Sequence, residues 1–456
     1  MKVKLLPREI RKYIQMTPRQ RHHELSASLW FRPLLSVLAA IVLALVTIFA
    51  DLQFEFIPAD SILSFSYDTT RLIVSTLISS VLLLSAFTLN ILLVVLTTFS
   101  GQFSPRMLQD YIADRQTQLY VSLFNGSFIY VLVTFLFINN YQNDDFVLVP
   151  IVTVLLTFIT AIIFLFFINH SIYWMQVHNV TSNMRLLSEE IIDNAVQEDM
   201  EKLKVDEAGD LKERFKANEK TVLTDHAGYL QLVDFRRLVE AAQKDDVVVE
   251  MHEKIGHFIL ADNPLFSYWG PGADELDPEG YKKYFLFGNK ELEIQDSNSA
   301  MSKLAEVAIK AMNSGDPRSA INAIYQLGNL MQTIQKNIRF TPYLADQDGQ
   351  VRVITQQQQF EDSLYRGFGM IRHYAKDDLP IIIEIVSALR MLSFSADRSL
   401  HEPIWCFAEN TIVNVKEDFI YDIDRDLLLD KLKELADVTG HQTGYRKLKA
   451  ELEAKS

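Results

Sequence analysis

The chain has 456 residues, a formal charge of −14 and one cysteine, Cys406. The single cysteine excludes an intrachain disulfide and a thiolate cluster, and fits a reducing compartment. The charge is uneven: residues 1–178 hold 11 Lys+Arg against 10 Asp+Glu, which leaves 33 against 48 for the rest; so acidic a remainder repels nucleic acid and argues against it as a partner.

In chain order, the first 28 residues are polar and basic. They are too long a lead for a cleavable signal, and the apolar run behind them has membrane rather than signal length. That run is 29–50, and three more follow at 72–100, 119–139 and 146–169. Each exceeds the ~18–20 residues needed to cross ~30 Å of hydrocarbon. No charged residue occurs between Arg71 and Arg106, between Arg115 and Asp144, or between Asp145 and Arg185. Four membrane-spanning helices are expected. Basic residues crowd the segment before the first span and recur as Arg106 and Arg115 after the second, whereas the other two connections are acidic. This asymmetry places both termini in the cytosol of a multi-pass inner-membrane protein.

Within the spans, small and hydroxyl residues form stripes. Ser36, Ala40, Ala44 and Thr47 share a face of the first, Ser122 and Gly126 of the third, and Thr153, Thr157 and Thr160 of the fourth. On the second, Ser75, Ser79, Asn90, Thr97 and Ser100 fall within about 80° of one another, around an apolar centre of Leu82, Leu83 and Ala86. Two readings stand. The stripes are helix–helix interfaces, where small residues let backbones approach, or the second is a hydroxyl-lined pore with an apolar constriction that gates by dewetting. No span interior carries an acid or base, which argues against an ion-coupled transporter.

Residues 171–224 read as an amphipathic helix, with Met184, Leu187, Ile191 and Ala195 at helical spacing, and then a charged linker. Residues 225–296 read as a small β-rich subdomain. Runs at Tyr229–Val233, Val247–Met251, His257–Leu260, Leu265–Trp269 and Tyr284–Phe287 are separated by Gly and Pro, with a helix at Phe235–Lys244. Residues 297–456 are expected to be a helical bundle throughout, opened by Asp316-Pro317, Asp378-x-Pro380 and Glu402-Pro403. The fold class is thus an α-helical membrane protein with four transmembrane helices and a cytosolic α+β domain.

No catalytic, cofactor-binding or metal site is expected. His252-Glu253 and His257 miss the i, i+4 helical spacing of a zinc protease. Gly367-Phe368-Gly369 lacks the third glycine and preceding strand of a nucleotide fingerprint. Asp362, Ser363 and His373 form a triad only on paper. Cys406, between Trp405 and Phe407, reads as a buried structural thiol.

Phe103-Ser104-Pro105-Arg106-Met107-Leu108, with Asp114-Arg115, Phe124 and Tyr130, resembles the core signature of a bacterial family of predicted membrane proteins catalogued as a domain of unknown function. Gly256-His257-Phe258-Ile259 through Asn263-Pro264-Leu265 and Ala311-Met312 through Asp316-Pro317-Arg318-Ser319-Ala320 are similar to it too, although Gly315 stands where the family has Asn and Ser319 where it has Thr. The resemblance implies a membrane protein and brings no activity. Ser104, Pro105 and Arg106 are expected to mark the membrane–cytosol junction. The function expected is an oligomeric channel or pore-like protein, a homo-oligomer regulated or assembled by its cytosolic domain through a ligand or protein partner. The alternative is a membrane-anchored scaffold or sensor whose spans only anchor.

Overall fold

A computed structural model describes residues 31–53, 64–102, 111–138, 145–176, 179–183, 185–186, 201–208, 218–288, 297–357, 359–375, 378–412 and 422–454. The chain divides into two compact units, residues 1–177 and 178–456.

The first unit contains four helices long and apolar enough to cross a membrane. They are α1 Phe31–Gln53, α2 Tyr67–Gln102, α3 Arg115–Ile138 and α4 Leu148–Trp174. At 36 residues, α2 is about 54 Å long at 1.5 Å per residue, well beyond a ~30 Å hydrocarbon layer. The core between them is apolar, with Ala44, Val74, Val81, Tyr130, Phe146 and Val149 buried. Their outward faces carry Leu, Val, Ile and Phe, as helices in lipid do.

The second unit combines two sheets and a set of helices. Its elements are β1 Lys204–Val205, β2 Lys220–Leu223, β3 Gly228–Val233, α5 Phe235–Lys244, β4 Val248–Met251, β5 Phe258–Ile259, β6 Pro264–Trp269, α6 Pro278–Lys282 and β7 Phe285–Gly288. They continue with α7 Ser297–Asn313, α8 Pro317–Asn337, β8 Tyr343–Ala345, β9 Val351–Ile354, α9 Phe360–Leu364, α10 Met370–Tyr374, α11 Leu379–Ser395, α12 His401–Ile412, α13 Asp422–Thr439 and α14 Gln442–Ala454. One sheet has the order β1-β8-β9-β4-β6-β2, the other β5-β3-β7. Pairing is antiparallel except between β4 and β9, where Val249 lies opposite Val353. The sheets share one core, in which Phe266 and Phe285 stack at 5.2 Å and α5 buries Phe235, Leu238, Val239 and Ala242.

The five short β runs and the helix at Phe235–Lys244 form where the sequence places them. Asp316 and Asp378 cap α8 and α11, accepting from the amides of Ser319 and Ile381. The stretch after Asp296 is not helical throughout: β8 and β9 return to the large sheet. Its two edge strands, β1 and β2, come from the segment read as linker, pairing with β8 and β6. Each is too short to show a period, so partners distant in sequence decide its state. The helical spacing of Met184, Leu187, Ile191 and Ala195 lies outside the described residues.

Candidate functional site

Three of the small-residue stripes read from sequence bring helices together. Ser36 Oγ on α1 donates to the Ser122 carbonyl on α3 at 2.7 Å. A Cβ on Gly126 would stand 2.4 Å from the same Oγ, so only glycine allows this approach. Along the same stripe Ala40 and Ala44 are buried, and Thr47 Oγ1 meets the Tyr130 hydroxyl at 3.2 Å. On α4, Thr153 and Thr160 are buried, and Thr160 Oγ1 donates to Ser127 Oγ on α3 at 2.9 Å.

The fourth stripe behaves differently. α2 packs on α3 and α4 through Val74, Val81, Thr88 and Val95, at seven-residue intervals and all buried. The residues singled out on α2 occupy the other side. Ser79, Ala86, Asn90 and Thr97 are exposed, as are Leu82 and Leu83 at 52% and 56%; Ser75 is half-buried. Ser75 and Thr97 bond back to the carbonyls of Leu72 and Val94. The helix therefore gathers these side chains on one face and turns that face away from its own neighbours. Ser104, Pro105 and Arg106 lie outside the described residues.

Polar groups at the two ends of the bundle make contacts that the sequence did not show. Asp51, near the end of α1, accepts from the backbone amides of Val147 at 3.3 Å, Leu148 at 2.8 Å and Val149 at 2.8 Å. A carboxylate from one helix thus caps the N-terminus of another, where donors lack partners and the dipole favours negative charge. At the opposite end Asp114 caps α3 through the Thr117 amide at 2.7 Å. The same carboxylate oxygen meets His170 Nε2 of α4 at 3.0 Å. Tyr111, Tyr120 and Trp174 surround the imidazole. The signal available in sequence was Asp114-x-x-Thr117, a cap spacing directly before an apolar run. His170 escaped because the apolar run stops at Asn169 whereas the helix continues to Trp174.

In the second unit the two histidines of the zinc-protease-like motif have different partners. His252 Nε2 meets Ser267 Oγ at 2.7 Å, whereas His257 Nδ1 meets Glu253 at 3.2 Å. Asp362 pairs with Lys254 at 2.9 Å. Gly367 lies in a π-helical turn, Tyr365–Gly369, where a Cβ would come 2.6 Å from the Met331 methyl of α8; the glycine serves packing. Cys406 is only half-buried, and its thiol donates to Glu402 Oε1 at 3.4 Å. A groove of about 440 Å³ runs between α8 and α11, lined by Tyr325, Asn329, Gln332, Met391 and Ser395 among others. Burial and the bond to the Glu384 carboxylate push the Tyr325 phenol up to about 12, so this hydroxyl stays protonated.

Comparison with known proteins agrees with the membrane character of the first unit. Residues 26–391 match the model of a family described as "Predicted membrane protein (DUF2254)". The chain is 22% identical over 304 residues to uncharacterised proteins of Mycobacterium bovis and Mycobacterium tuberculosis. Those matches cover 64% of this chain and 58% of each relative, so the chain spans less than two thirds of the relatives' length. No solved structure matches the chain. A match over most of the chain, four apolar helices of spanning length and a second unit of mixed sheets and helices lead to one conclusion: this protein belongs to the DUF2254 family of predicted membrane proteins.

Proposed function

We propose that this protein is an oligomeric, channel-like protein of the inner membrane. Copies bring their α2 helices around a shared axis, with both termini in the cytosol and the second unit assembling or regulating the pore there. It catalyses no reaction in this reading. The observation that carries it is the orientation of α2: Ser79, Asn90 and Thr97 are exposed while Val74, Val81, Thr88 and Val95 pack inward. The Asn90 side chain has no hydrogen-bond partner among the described residues. Left in hydrocarbon, an amide loses its bonds to water without replacement. A neighbouring copy or a water-filled path supplies them, and Leu82, Leu83 and Ala86 then form an apolar narrowing.

Purified protein in planar bilayers tests this. Wild type should conduct, Leu83→Ser should leak more by hydrating the narrowing, and Asn90→Leu should conduct less without unfolding, since leucine is favourable in both helix and lipid. Silence from wild type and Leu83→Ser alike would contradict the pore. It would leave the membrane-anchored scaffold or sensor, in which both changes act only through packing, by the ~0.6 kcal/mol typical of interhelical polar contacts.

A further inference from the structure

The first unit carries a crevice of about 400 Å³ on the outside of the α2–α4 pair. Phe65, Ile73, Ile151, Val154, Leu155 and Phe158 form its walls, with Pro150 at its end. Its size falls within the range of small-molecule sites, ~300–1,000 Å³, but its chemistry is unusual for one. No wall side chain is polar. The backbone offers nothing either, although a helix N-terminus lies beside it. The amides of Val147, Leu148 and Val149 already donate to Asp51, and Pro150 has no N–H. Phe65 and Phe146 exchange both of their backbone hydrogen bonds at 2.9 Å. A polar or charged ligand would lose its hydration there and gain no partner.

Every wall residue except Phe65 belongs to a helix of membrane-spanning length, so the surrounding medium is hydrocarbon. From Pro150 to Phe158 the crevice follows about 12 Å of α4 at 1.5 Å per residue, at the end of the bundle where Asp51 caps that helix. We propose that this crevice is a lipid site, holding one acyl chain of a bilayer phospholipid from the leaflet at that end. The chain fills space that would otherwise leave the lining of α2 and α4 without contacts. Asp51, by consuming the helix-end donors, makes the site selective for a chain over a headgroup.

Native mass spectrometry of the full-length protein, released from nanodiscs of a single phospholipid, reads lipid and oligomer together. Wild type should retain about one phospholipid per subunit after mild activation. Val154→Trp fills the crevice from its exposed wall and should lose that adduct. Leu165→Trp, exposed on the same helix away from the crevice, controls for a bulky aromatic and should keep it. Equal retention by wild type and Val154→Trp, or no retained lipid in wild type, would overturn the proposal. So would a Val154→Trp protein that loses its oligomer instead of a lipid, since the crevice would then seat a second copy.

Discussion

Gly126 holds α1 and α3 closer than any side chain at that position permits. Its missing Cβ makes room for Ser36 Oγ, which in turn satisfies the Ser122 carbonyl. Gly126→Ala must push the helices apart or break that bond, and overpacking of this kind costs about 1–3 kcal/mol. Ser36→Ala removes the clashing oxygen, so Gly126→Ala should cost much less in the Ser36→Ala background. Thermal unfolding of the four proteins in detergent gives the coupling. Additive effects would show that the two residues do not share the contact.

Asp51 offers a second test at the same scale. It closes the N-terminus of α4 by accepting three hydrogen bonds from backbone amides, and Asp51→Ala should destabilise the protein by about 1–2 kcal/mol, the upper part of the range for lost caps. Asp51→Asn keeps an acceptor and should cost less. Equal melting temperatures for wild type and Asp51→Ala would show that water replaces the carboxylate. The stripe facing Gly126 was legible because small residues repeated at helical spacing. Asp51 was not, because it reads as one more acidic loop residue until the chain brings it 96 positions along to Val147.

Elements tell a similar story of local signals and distant decisions. The spans were legible because each is a long apolar run with no charge in its interior, a pattern that only a helix in lipid satisfies economically. Strands β3 to β7 of the second unit were legible from β-branched and aromatic residues between turn formers. β9 was not: Val351-Arg352-Val353-Ile354 is four residues long, and its strand state depends on β4, about 100 residues earlier. The edge strands have a practical consequence. A fragment from residue 225 lacks both β1 and β2, which leaves the edges of β8 and β6 unpaired, and unpaired edges template aggregation. A fragment of residues 201–456 should therefore be soluble and monodisperse by size-exclusion chromatography, and residues 225–456 should aggregate. Equally good behaviour of the shorter fragment would mean that β1 and β2 add little to the sheet.

For the whole molecule, sequence reading found the polar face of α2 but not the side to which it turns. The missing signal was the heptad Val74, Val81, Thr88 and Val95, which marks where α2 meets its own neighbours and so leaves the other face for lipid, water or a second copy. The proposed channel depends on that choice. The most direct measurement replaces Cys406, the one native cysteine, by serine and places single cysteines along α2. Each variant, in its membrane, then meets a water-soluble thiol reagent. Ser79→Cys, Asn90→Cys and Thr97→Cys should react, while Val74→Cys, Val81→Cys and the lipid-facing Leu165→Cys on α4 should not. Inertness of all three positions on the polar face, equal to that of Leu165→Cys, would contradict the channel.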